Sequence, residues 1–363
     1  MAGSPFADRD ESAWVRTSCG WRVIRSHSRA TGEETNWCDL GLSEHQRLSA
    51  DVRLHAGNNA LDFSVLRRRK KQEGVAIEVD KDILDAYRRE GFLFPLSVLS
   101  NSETATLRTK LEELEAQHGG KLPPHINRKP HLLLTWLNEL IRHPRILDLV
   151  EKILGPDILC WGSGFFIKNP HDKARVTWHQ DSTYWGLSSP DIATAWVAFT
   201  PSITANGCMR VVPGTHMLQQ LPHEDTFAPD NLLSRGQEIA VEVDESRAVD
   251  IVLEPGQMSL HHVLLVHGSE PNYSELRRVG FAIRYLPTHV RQLTALADSA
   301  TLVRGSDHYR HFLPEPVPQS DFHPEALAFH AKMLATNDQI LYKETPAKRG
   351  GGASAADAPA TSK

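Results

Sequence analysis

The sequence predicts a mainly β fold with flanking helices, closed as a jelly roll. Three observations predict it. From Ile158 onward, short runs rich in β-branched and aromatic residues recur at 158–168, 192–200, 207–212, 249–253, 257–261, 263–267 and 277–286. Turn residues such as Asn206-Gly207, Pro213-Gly214 and Pro255-Gly256 separate them. No helices alternate with these runs, so about eight strands fit a jelly-roll or cupin-like barrel.

The elements follow in chain order. Residues 1–76 are polar and lack sustained periodicity, and are expected to form a variable, partly disordered extension. Trp14, Trp21 and Trp37 suggest local packing within it, and the basic run Arg67 to Lys71 reads as a solvated segment. A main domain is expected over 77–345. Asp80 can cap a helix through Ile83, Leu84 and Tyr87 that stops at Gly91. Ser102 with Glu103 opens a second, ending at Gly119-Gly120. A third helical stretch covers 132–154, with a break at Pro144. The polar stretch 216–248 interrupts the strand pattern and is expected to be a long insertion, a candidate lid. The tail 346–363 is of low complexity and expected to be disordered.

Composition narrows the function. The 363 residues are 40% hydrophobic and 23% charged, ordinary for a globular protein. Forty basic against 45 acidic residues give a net charge of −5, which favours neither nucleic acid nor a membrane surface as partner. The four cysteines (Cys19, Cys38, Cys160, Cys208) are too sparse for a disulfide scaffold. No apolar run approaches a membrane span, no signal-peptide stretch opens the chain and no S-K-L closes it. A cytoplasmic protein is expected.

The chemistry centres on Trp178-His179-Gln180-Asp181. In extended backbone, residues i and i+2 point the same way, so His179 and Asp181 can project together into a barrel. One imidazole and one carboxylate make a half-site for a divalent metal. Two histidines plus a carboxylate, with open positions, make the facial triad of non-haem iron oxygenases. By itself an H-x-D pair also fits two ordinary strand residues. The best partner is His267, delivered by the apolar run Leu264-Leu265-Val266 just before Gly268, where a backbone can pass close to a ligand. Eleven residues further, Arg278 sits inside a strand-like run. A buried guanidinium needs a fixed anion, and it clamps carboxylates in bidentate fashion. Iron beside such an arginine suits 2-oxoglutarate.

These stretches resemble the phytanoyl-CoA dioxygenase family of Fe(II)/2-oxoglutarate-dependent oxygenases. The matching segments are WHQDSTYWGL (178–187), TAWVAFTPSITANGCMRVVPGTH (194–216) and LHHVLLVHGSEPNYSELRRVGFAIRY (260–285). The resemblance runs from about Asp80 to Val290. It implies a double-stranded β-helix with iron(II) on His179, Asp181 and His267. It implies that Arg278 holds 2-oxoglutarate, with Trp196 and Ser269 as further contacts and Lys129, in Arg128-Lys129-Pro130-His131, as another. It also implies that O₂ is consumed, that a C–H bond of a small organic substrate is hydroxylated, and that succinate and CO₂ are released. Some relatives are halogenases with a small residue in place of the ligand carboxylate; the intact Asp181 argues for oxygenation.

The remaining candidates receive structural readings. His261 and His262 read as structural or surface residues, and His216 as a hydrogen-bonding residue of a turn. Arg277 should face solvent, Asn206 should hold a tight turn, and Gln180 should support its strand. Tyr184, Trp185 and Trp161 read equally as packing aromatics or as a wall of the substrate pocket. Three rival functions are an acyl-CoA hydroxylase, an inert cupin-like binding protein and a zinc hydrolase on the same triad. No convincing CoA phosphate site appears, so a free specialised metabolite is the expected substrate. The sequence does not give the oligomeric state.

Overall fold

In the computed structural model, which describes the backbone of residues 11–17, 20–26 and 73–342 and the side chains of residues 81–342, the β-rich half of the sequence forms two main sheets. The chain divides into two compact units, Met1–Asp62 and Phe63–Lys363. In the first, β1 (Glu11–Thr17) and β2 (Gly20–Ser26) pair antiparallel, with Trp14 opposite Val23 and Trp21 opposite Arg16. Trp14 and Trp21, which suggested local packing, fall in these two strands. Trp37, the basic run 67–71 and the tail 346–363 lie outside the described residues.

The second unit begins with α1 (Glu73–Glu90), so Asp80 lies inside this helix and does not cap it. After β3 (Phe92–Ser97) comes α2 (Asn101–Gln117). Its cap is Ser100, not Ser102. The Glu103 amide donates to Ser100 Oγ (3.2 Å) and the Ser100 amide to Glu103 Oε2 (2.7 Å), a reciprocal capping box. The expected helix over 132–154 is two, α3 (Thr135–Leu140) and α4 (Pro144–Leu154). Proline lacks an amide hydrogen, so Pro144 fits the first turn of α4 and would break a continuous helix.

The strands β4 (Ile158–Lys168), β5 (Val176–His179), β6 (Ala193–Ala198) and β7 (Met209–Val211) follow. Then come β8 (His223–Asp225), β9 (Gln237–Ile239), β10 (Val249–Ile251), β11 (Gln257–His262) and β12 (His267–Ser269). The last elements are β13 (Arg278–Pro287), β14 (Ser299–Arg304), β15 (Leu313–Pro314) and α5 (Pro324–Leu341). The expected strand 263–267 is instead a turn feeding β12.

The major sheet runs β15-β14-β4-β13-β6-β11-β3 and the minor sheet β10-β7-β12-β5, while β8 and β9 pair with each other. Side chains alternate across each strand. One face of the major sheet carries Phe165, Val197, Phe281, Ile283 and Leu260, which pack with Ile83 and Tyr87 of α1, Leu111 and Leu114 of α2 and Ile146, Leu147 and Val150 of α4. The opposite face carries Phe166, Trp196, Ala282, Arg278 and Arg284, which line a cavity together with His179 of β5, Met209 of β7 and His267 of β12. These two sheets and the helical layer make the double-stranded β-helix expected from the sequence.

The segment 216–248 carries β8 and β9 and is fastened to the base of β5. Gln180 donates to Gln219 O (2.9 Å) and accepts from the Leu221 amide (2.7 Å). Thr177 Oγ1 donates to Gln237 O and accepts from Asn231 Nδ2, each at 2.7 Å. Gln180, fully buried, therefore supports the strand and anchors the insertion.

Candidate active site

The ends of two minor-sheet strands bring the triad together. His267 of β12 stands opposite His179 of β5, and their ring centroids are 4.1 Å apart. Gln180 is extended (φ −114°, ψ 138°), so Asp181 follows His179 onto the same side, and its amide donates to Val263 O at 3.0 Å. One ligand-capable atom from each of His179, Asp181 and His267 lies within 4.8 Å of the others.

Hydrogen bonds fix which histidine nitrogens are free. His179 Nδ1 bonds Thr177 O and His267 Nδ1 bonds Leu265 O, both at 2.9 Å. A carbonyl only accepts, so each Nδ1 carries a proton and each Nε2 is the nitrogen whose lone pair a metal would take. Burial, with His179 and His261 nearby, holds His267 well below the usual histidine pKa, so it stays neutral. Burial opposes charge on Asp181, yet the neighbouring His179 and His261 imidazoles hold its carboxyl well below the usual range. The Nε2 atoms of both imidazoles and the Asp181 carboxylate thus converge on one point. That donor set fits a divalent cation of intermediate hardness with positions left over for other ligands.

A cavity surrounds the triad. At one end is Arg278, 2% exposed. Its guanidinium donates to Gly207 O, lies 5.4 Å from the Trp196 ring, and leaves Nε buried without a hydrogen-bond partner. Burial lowers its pKa to about 10, so it remains charged at neutral pH. The Trp196 indole lies over Gly280, where a Cβ would come within 1.8 Å of the ring; only glycine admits it there. Ser269 closes this end, its hydroxyl accepting from Lys168 Nζ at 2.7 Å.

Sequence reasoning placed His179, Asp181, His267, Arg278, Ser269 and Trp196 in one cavity, and all six line it. Lys129 does not. Its ammonium contacts Glu315 (2.7 Å) and Ser299 O (2.7 Å), beside His131, whose Nδ1 bonds Ser163 Oγ (2.6 Å). On β4, Ser163 and the cavity-lining Phe166 are an odd number of residues apart and so point to opposite faces. A lysine in that motif meets a buried glutamate on the far side of the sheet.

Two other readings change and one open alternative is resolved. His261 is buried and lines the cavity, its Nε2 3.8 Å from Asp181 Oδ2, and neither ring nitrogen has a hydrogen-bond partner. Arg277 grips Glu115 in bidentate fashion (2.9 and 2.6 Å) instead of facing solvent. Trp161 and Trp185 pack on each other (centroids 4.8 Å) and Tyr184 lies under Arg235; none of the three is among the cavity-lining residues. Asn206 holds its turn through the Ile203 amide and Pro201 O, and His216 bonds Arg88 O, as expected.

Two residues escaped sequence reasoning. Lys168 ends β4 and faces Arg278. Arg284 lies six residues after Arg278 on the same face of β13. Its even spacing from Arg278 was the available signal.

A family model described as Phytanoyl-CoA dioxygenase (PhyH) matches residues 87–280. The chain is 30% identical over 214 residues to a probable alpha-ketoglutarate-dependent hypophosphite dioxygenase of Stutzerimonas stutzeri, spanning 58% of this chain and 71% of that protein. It is 32% identical over 145 residues to the peroxisomal phytanoyl-CoA dioxygenase of Homo sapiens, spanning 38% of this chain and 43% of that one. Among solved structures, the apo form of the non-heme monooxygenase ThoJ superposes with a TM-score of 0.65 at 36% identity, covering 72% of this chain and 98% of ThoJ. The cofactors that this family and the His-Asp-His geometry specify are Fe(II) and 2-oxoglutarate. The family match covers more than half of the sequence and the triad is complete, so the chain belongs to the phytanoyl-CoA dioxygenase family of non-haem Fe(II)/2-oxoglutarate-dependent dioxygenases.

Proposed function

We propose that the protein hydroxylates a C–H bond of a small organic molecule, with 2-oxoglutarate and O₂ as cosubstrates and succinate and CO₂ as co-products. The observation that carries this reading is the convergence of His179, Asp181 and His267 in the same cavity as the buried Arg278. In this reading the two Nε2 lone pairs and the Asp181 carboxylate hold Fe(II). Arg278 would take the distal carboxylate of 2-oxoglutarate, with Ser269 as a hydroxyl partner and Trp196 as a wall of that end of the cavity. The iron and 2-oxoglutarate, when bound, supply the O₂ activation; the chain orients the groups and keeps water out. Asp181 occupies the carboxylate position, which supports oxygenation over halogenation.

A free metabolite is favoured over an acyl-CoA in this reading, because the sequence shows no convincing CoA phosphate site.

The test is anaerobic reconstitution followed by O₂. One Fe(II) per chain and a weak visible charge-transfer band on adding 2-oxoglutarate are expected. Substrate-stimulated succinate release with a product one oxygen heavier completes the assignment. Tight zinc binding with no band and no succinate would overturn it.

A further inference from the structure

We infer that the substrate is a small organic acid whose anionic group pairs with Arg284, at the end of the cavity opposite the cosubstrate arginine. This rests on the oxygenase reading above and names its substrate class.

Strand register locates the site. Across three neighbouring strands of the major sheet, His261 of β11 stands opposite Thr194 of β6, and Thr194 opposite Arg284 of β13. All three line the cavity, forming one polar row across it. The row borders Asp181: Thr194 Oγ1 donates to Asp181 Oδ2 at 3.2 Å, and His261 Nε2 lies 3.8 Å from the same oxygen. Arg278 lies six residues back along β13, about 20 Å away at the usual strand rise. Gly280 and Ala282 lie between them on the same face, under the Trp196 indole. The two arginines therefore bracket the triad, one near Ser269 and Gly207, the other near Asp181. A 2-oxoglutarate held at Arg278 leaves Arg284 for a second ligand.

Arg284 is also short of partners. Among the described residues it makes no hydrogen bond and no ion pair. Its guanidinium lies 5.4 Å over the Trp185 ring, and its stem passes 3.8 Å from where a Cβ of Gly162 would stand. Trp185 is itself fixed against Trp161, whose indole nitrogen donates to Asp298 at 2.6 Å. The side chain is thus supported along its length while its donor fork is unused. Guanidinium is suited to planar, bidentate recognition of an oxyanion. His261, buried with both ring nitrogens unpartnered, supplies a second polar contact on the same row.

The competing role for Arg284 is electrostatic support of Asp181, on which its charge acts. Affinity selection separates the two. Protein loaded anaerobically with Fe(II) and 2-oxoglutarate is incubated with a mixture of short N-acetyl amino acids, 2-hydroxy acids and alkylphosphonates. Each acid is matched by its neutral amide or ester. Retained compounds are identified by ultrafiltration and mass spectrometry. The expected result is retention of acids over their neutral partners by roughly tenfold or more, lost in Arg284→Gln and partly kept in Arg284→Lys. Carboxylate against phosphonate retention identifies which oxyanion is preferred. Iron content and the 2-oxoglutarate dissociation constant should hardly move in either variant. Equal retention of the neutral compounds, or no retained acid, overturns the inference. So does an Arg284→Gln protein that sheds iron while holding the acid as before. Admitting O₂ afterwards tests the oxygenase reading separately: a retained acid with no succinate formed would count against that reading and leave the anion site standing.

Discussion

Lys168 and Arg278 stand opposite one another on β4 and β13, both at most 2% exposed, and neither makes an ion pair among the described residues. Lys168 donates to the Ser269 hydroxyl (2.7 Å), Ser269 O (3.3 Å) and Glu270 O, all neutral acceptors. The acids whose charges reach Lys168 are engaged elsewhere: Glu270 lies 3.6 Å from Arg210 and Asp172 accepts from the Ala174 amide at 2.9 Å. A buried guanidinium beside a buried lysine, with no carboxylate between them, is a site that a ligand anion would complete. In the proposed function that anion is the distal carboxylate of 2-oxoglutarate.

The first prediction concerns Arg278. Truncating one partner of a buried charge pair costs about 2–5 kcal/mol. Arg278→Ala should therefore raise the KM for 2-oxoglutarate by roughly 30-fold or more, at about 1.4 kcal/mol per tenfold. Arg278→Lys should recover only part of this, because the ammonium lacks the planar fork. Iron content should stay the same. Steady-state titration of 2-oxoglutarate beside a melting curve checks this. Loss of thermal stability without a selective KM effect would make Arg278 a structural residue.

A second prediction follows from the hydrogen-bonded imidazoles. Alanine at His179, Asp181 or His267 should abolish iron retention and turnover. The fold should remain, because the sheets are held by their own ladders and by the helix-facing core rather than by a metal. Chelation of the wild type should likewise remove activity and leave the far-ultraviolet circular dichroism unchanged. Full activity in the Asp181 variant would show that the carboxylate ligand lies elsewhere.

How much of this was legible in the sequence depended on distance along the chain. The pair His179 and Asp181 follows from spacing in extended backbone, and His267 from an apolar run ending at glycine. Ser100 was missed as a cap by two residues, since Ser100 and Ser102 both precede α2 and only geometry separates them. Lys129 misled because its partner Glu315 is far away in sequence, and a local motif cannot show which face of a sheet a side chain meets. His261, Thr194 and Arg284 form a row only through the register of β11, β6 and β13, which no single segment contains.

A third prediction tests the reassigned Lys129. Glu315 is fully buried and accepts from Lys129, Ser299 Oγ (2.7 Å) and Thr301 Oγ1 (2.5 Å), with His131 Nε2 at 3.1 Å. Breaking such a pair should cost about 3–5 kcal/mol. Lys129→Met and Glu315→Ala should each lower the melting temperature without changing the KM for 2-oxoglutarate in the folded fraction. A selective rise in that KM for Lys129→Met would return the lysine to the cosubstrate site. The acid side carries a sign. Burial opposes the Glu315 charge, but Lys129 and His131 more than offset it and hold the carboxyl below its usual range. A depressed carboxyl stabilises fully above its unfolded value of about 4.3 and loses that contribution as pH falls below it. Urea melts across that window should show a steeper acid loss in the wild type than in Glu315→Gln.

The last prediction couples protons to the cosubstrate through Lys168. Burial, then the adjacent Arg278 charge, pushes its pKa down to about 6. In the ligand-free protein the side chain is therefore largely neutral at neutral pH, although an unfolded lysine would be charged. A carboxylate bound between Lys168 and Arg278 favours the ammonium and raises that pKa. Binding of 2-oxoglutarate then takes up a proton at pH values above about 6 and below the raised value. By linkage, affinity falls as pH rises through this window, by at most about tenfold per pH unit for one proton. Below about pH 6 the lysine is already charged and the slope should vanish. Lys168→Met should bind 2-oxoglutarate more weakly at pH 6 and show no slope above it. Anaerobic titration of the charge-transfer band at several pH values measures both. A wild-type slope that persists in Lys168→Met would place the titrating group elsewhere.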